Sequence, residues 1–68
     1  MAELTFLTTS EAAELLRLAR RTLERWRVEG GGPSFRRHGA RVLYAREDLA
    51  LWSRKNQHQS TSEHAEAA

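Results

Sequence analysis

The chain has 68 residues, no cysteine and a formal net charge of +2. That length supports one small domain, with neither a disulfide nor a thiolate metal site to staple it. No apolar run approaches the roughly 18 residues of a membrane span. The opening MAELTFLTTSE has no basic start and no long apolar stretch, so it does not read as a signal peptide, and the expectation is a soluble, cytoplasmic protein.

The charge is unevenly spread. All 11 Lys and Arg lie between Arg17 and Lys55, and ten of them are arginine. That span holds only Glu24, Glu29, Glu47 and Asp48 in opposition, a local balance of +7. Arginine offers a planar fork that fits phosphate oxygens and the guanine edge. Charge alone leaves two readings open, a solvated basic surface and a surface for a polyanion.

Residues 1–5 read as an N-terminal lead. Thr8-Thr9-Ser10-Glu11 then fits a capping box, with Thr8 as N-cap and Glu11 reaching back to its amide. A first helix is expected over about Thr9 to Arg17, with Ala12, Leu15, Leu16 and also Ala13 on its inward stripe. After a tight turn at Arg17-Leu18-Ala19, a second helix is expected from Arg20 to Glu29. Its Leu23 and Trp26 share a face, and the GGGP run from residue 30 stops it.

SFRRHGARVLY (34–44) reads as two short strands around a turn at His38-Gly39-Ala40. Phe35, Val42 and Tyr44 are candidates to face inward. A third helix is expected from Arg46 to Lys55, with Glu47 and Asp48 in its first turn and Arg54 and Lys55 in its last, as the helix dipole favours. Leu49 and Trp52 give its buried face. Ala45 is a poor N-cap because it offers no side-chain acceptor. Residues 56–68, polar and without periodicity, read as a disordered tail.

Two short helices, a basic hairpin and a packing helix follow the order of a winged helix-turn-helix, an α+β fold that is mainly helical, here spanning residues 6–55. The greasy face of the second helix holds it to its neighbours. On a wheel centred between Leu23 and Trp26, the far side carries Arg21, Glu24, Arg25 and Val28, with Arg20 and Thr22 flanking the apolar stripe. Such a face suits base edges and phosphates in a major groove. Arg20 and Arg27 are placed to run along the core edge and still reach phosphate. In the hairpin, Arg36, Arg37, His38 and Arg41 are the candidates for adjacent backbone or a minor groove. Glu24 has two readings, acceptor for a cytosine amino group or partner of a neighbouring arginine.

Leu23, Trp26, Leu49, Trp52, Phe35 and Tyr44 are expected in the core rather than as base-stacking groups. Leu51 reads as ordinary surface or a protomer contact. His58 and His64 lack metal-ligand spacing. GGGP has neither the lysine nor the strand–helix setting of a phosphate loop. No nucleophile–base pair or carboxylate pair is evident, so no enzyme, metal or cofactor is expected.

The motifs LTTSEAAELL (7–16), RRTLERWRVEG (20–30), GPSFR (32–36) and RVLYAREDLALW (41–52) together resemble the excisionase/AlpA-type small helix-turn-helix family, related to MerR-like winged helices. The resemblance covers residues 6–53. It implies DNA binding through the second helix and the wing, in a family of prokaryotic recombination directionality factors, prophage regulators and regulators of plasmids and integrative elements. Two positions depart from the family pattern: Arg17 and Ala19 stand where it usually has a glycine and then a Ser or Thr N-cap, and loss of a cap hydroxyl typically costs about 1 kcal/mol.

The resulting expectation is a sequence-specific binder of double-stranded DNA. An excisionase that binds repeated sites cooperatively and bends DNA is the leading role, with a site-specific recombinase (an integrase) and further copies of itself, head to tail, as partners. A transcription regulator of a mobile element is the alternative within DNA binding. A protein-interaction module, an antirepressor on this scaffold, is the alternative of another class.

Overall fold

A computed structural model describes residues 5–59. Six elements follow in order: β1 (Phe6–Thr8), α1 (Thr9–Leu16), α2 (Arg20–Glu29), β2 (Arg36–His38), β3 (Arg41–Ala45) and α3 (Arg46–Lys55). It is a small α+β domain of three helices and one antiparallel sheet of order β1-β3-β2.

The strand β1 is the element that sequence reasoning missed. The expected wing had two strands; the sheet has three, because Phe6, Leu7 and Thr8 pair with Ala45, Tyr44 and Leu43 along the free edge of β3. Three residues are too few to show an alternating pattern. The amide of Arg46 also donates to the carbonyl of Thr5 at 2.8 Å, which ties the start of α3 to the strand entry.

The capping box forms as expected. The amide of Glu11 donates to Thr8 Oγ1 at 3.2 Å, and that of Thr8 to Glu11 Oε1 at 2.9 Å. The helix ends at Leu16, one residue before the expected limit, because Arg17 turns left-handed with φ 62° and ψ 40°. The amide of Leu18 then donates to the carbonyl of Ala13 at 2.8 Å, and that of Arg17 to Glu14 at 3.2 Å. This pair of bonds is a Schellman motif, and it sets the turn into α2. The helices α2 and α3 keep their expected limits, and neither Ala19 nor Ala45 supplies a side-chain cap.

Ala12, Ala13, Leu23, Tyr44 and Leu49 form the buried centre, with Leu7, Leu16, Leu18, Trp26 and Val42 packed around it. The two tryptophans join α2 to α3, their ring centroids 5.6 Å apart. Two expectations need correction. Leu15 is 46% exposed, because α1 turns the neighbouring Ala12 and Ala13 inward to the buried centre with Leu23; Phe35 is 37% exposed, lying before β2 with its ring beside that of Tyr44 rather than inside. From residue 60 onward the expected tail lies outside the described residues, as do residues 1–4 of the N-terminal lead.

Candidate nucleic-acid interface

The helix α2 brings most of its polar residues to the surface on the side away from Leu23. Arg21 and Arg25 are exposed, and Thr22 and Glu24 are half-buried. Arg20 Nε donates to Glu24 Oε2 at 3.1 Å, and its Nη1 donates to Ser10 Oγ at 3.3 Å. Glu24 is therefore held by a neighbouring arginine, with its second carboxylate oxygen not engaged by that bond. Arg25 lies 3.7 Å from Glu29. These i, i+4 pairs are solvated, which makes them weak in water and easy to exchange for a phosphate. Arg21 has no ion pair or hydrogen bond to another described residue.

The hairpin is a short two-stranded arm closed by Gly39, whose φ of 64° is the left-handed value the turn needs. Its register places Arg36 opposite Leu43, Arg37 opposite Val42, and His38 opposite Arg41. Alternation along the strands therefore puts Arg37 on the face that carries Val42 and Tyr44, and Arg36, His38 and Arg41 on the other. Arg37 and Arg41 are exposed and unpaired among the described residues. Arg36 is more anchored: its Nη2 lies 3.4 Å from Asp48 Oδ2, and its guanidinium stands 5.4 Å from the centre of the Phe6 ring. Phe6 also packs edge-on against His38, with centroids 4.9 Å apart.

Arg27 stands apart from its neighbours on α2. Its Nη1 donates to Thr9 Oγ1 and to Tyr44 Oη, each at 3.0 Å, and the guanidinium lies 5.9 Å from the centre of the Phe35 ring. The sequence showed it as one more basic residue near the apolar stripe. Its partners are distant in sequence, so no local signal singled it out.

The described surface also has two open hollows of about 290 and 280 Å³. One is lined by Leu7, Glu11, Glu14, Leu15 and Arg46, and the other by Leu15, Leu16, Arg46, Leu49, Ala50 and Ser53. Neither sets a nucleophile against a base. Among the described residues no group of three His, Cys, Asp or Glu is gathered to hold a metal ion, and no helix is long and apolar enough to cross a membrane.

Residues 6–57 match the family described as a helix-turn-helix domain. A search among curated proteins finds no match. Families of this kind bind DNA and are typically not enzymes, and the matched range takes in every element from β1 to α3.

Proposed function

The chain belongs to the helix-turn-helix domain family, and from that premise we propose that it binds duplex DNA sequence-specifically, with α2 in the major groove and the β2–β3 wing on the adjoining backbone. The observation that carries this reading is that exposed arginines recur on both elements, with no buried carboxylate against them among the described residues: Arg21 and Arg25 on α2, and Arg37 and Arg41 on the two faces of the wing. Arg20, Thr22 and Glu24 flank the base-reading positions. His38 and Arg36 sit near the wing's backbone contacts.

Equilibrium titration of duplex DNA across a salt series tests the reading. If helix and wing together neutralise about five phosphates, the log–log slope of affinity against salt is about −4 to −5. A slope near zero would contradict it. The same measurement separates it from a protein-interaction module, whose apolar interface would respond little to salt.

Within DNA binding, we assign the chain the role of an excisionase, a small accessory factor that binds repeated sites beside a site-specific recombinase and shapes the DNA between them. Two features support this over a regulator that acts as a closed dimer. One recognition helix and one wing bury only roughly 600–1,000 Å² of protein surface on DNA, little for unique recognition. In addition, the large exposed apolar side chains among the described residues, Leu15, Val28, Phe35 and Leu51, come singly from four separate segments of the chain. Protomers lined up head to tail along adjacent sites gain specificity without a preformed dimer.

A further inference from the structure

The wing and the recognition helix touch DNA together only if the angle between them is fixed. The structure shows few direct means of fixing it. The helix α2 packs on α1 and, through Trp26, on α3, while the sheet packs on α1 and α3. Arg27 makes a side-chain link that runs from α2 straight to the base of the hairpin.

We propose that Arg27 is a positioning residue of the DNA-binding surface, and not itself a phosphate ligand. Both N–H groups of its Nη1 are committed, one to Thr9 Oγ1 at the start of α1 and one to Tyr44 Oη on β3. The flat guanidinium also lies against Phe35, which directly precedes β2 and stands 6.3 Å from the Tyr44 ring. One cation thus holds the foot of both wing strands and the first residue of α1. Charge-assisted bonds of this kind are directional and stronger than neutral ones. The leverage is large, because Tyr44 lies four residue steps along the strand from Ala40 in the turn, a reach of about 13 Å. A tilt of about 10° at the foot moves the tip by about 2 Å, enough to lose a phosphate contact.

This inference rests on the DNA-binding reading, and the test separates the two. Thr9→Val with Tyr44→Phe removes both acceptors and keeps every positive charge; Arg27→Met removes the charge and keeps the stem. Each is titrated with short labelled duplexes of mixed sequence over a salt series, and each is melted to show that it is folded. If Arg27 acts by positioning, both variants lose affinity to a similar degree, about tenfold. Adding Arg37→Ala and Arg41→Ala to either variant then costs less than in the unaltered chain, because an unseated wing has less to lose.

Two results would overturn the inference while leaving DNA binding intact. One is a double variant that binds like the unaltered chain while Arg27→Met loses affinity and about 0.9 of salt slope, the mark of a direct phosphate contact. The other is fully additive loss from the wing substitutions. If the double variant proves unfolded, Tyr44→Phe alone makes the same comparison. An unaltered chain without salt-dependent duplex binding would overturn the DNA-binding reading, and this inference with it.

Discussion

The backbone of Gly32 lies flat against Trp26: a Cβ at this glycine would fall 2.7 Å from the indole Cε3 and 2.8 Å from the tryptophan's own Cβ. Part of that contact is the near end of a side chain that leaves little room to swing, since Trp26 is already wedged against Trp52. Gly32→Ala therefore forces either the loop or the indole to move. It should destabilise the domain by about 1–3 kcal/mol, the usual range for overpacking. Chemical denaturation checks this, and an unchanged midpoint would show that the loop gives way freely.

Arg17 holds the left-handed position of the Schellman turn, where a side chain costs about 1–2 kcal/mol relative to ordinary backbone. Glycine adopts the same conformation without that strain but loses more chain entropy, by about 0.5–1 kcal/mol. The balance makes Arg17→Gly neutral to stabilising by about 1 kcal/mol, while Arg17→Val at the same place should be destabilising. Melting curves of the two variants, run side by side, settle the sign. If Arg17 also touches backbone phosphate, the glycine variant loses about 0.9 of salt slope even as its melting temperature holds or rises.

Base reading and backbone positioning should separate by substitution. Arg21→Ala and Arg25→Ala are expected to lower the preference for a selected site over random DNA by about 1–3 kcal/mol. Arg37→Ala and Arg41→Ala should weaken both kinds of DNA alike and reduce the salt slope by about 1 each. Arg36→Ala should in addition lower thermal stability, because it leaves Asp48 and the Phe6 ring without their cation. Equal losses on every sequence from all of these changes would end the division of labour between helix and wing.

Free in solution the chain is expected to be a monomer, and on DNA to bind adjacent sites cooperatively. Sedimentation of the protein alone, followed by titration of duplexes carrying one, two and three selected sites, measures both. A rise in affinity per site with site number supports the head-to-tail arrangement, and phased-site gels then show whether the bends add. A stable dimer without DNA, protecting one palindromic site, would favour the transcription-regulator role instead.

Much of this protein was legible from short-range chemistry. Thr8 and Glu11 cap α1 through bonds that span three residues, so the pattern alone located the helix start. The limits of α2 and α3 followed from apolar spacing, the glycine stop and the charges at the helix ends, all of them local. The run of arginines offered a polyanion as one of two readings, beside a solvated basic surface. What the tertiary structure decided is what depends on residues far apart in the chain. The strand β1 exists because β3 offers it an open edge. Leu15 is turned outward because the buried centre takes the Ala12 and Ala13 side of α1 instead. Most of all, the arginines are alike in sequence but not in place. Arg21 and Arg37 stand in solvent, Arg36 is drawn to Asp48, and Arg27 is taken up by Thr9 and Tyr44, because a guanidinium settles where folding brings it acceptors and a ring face.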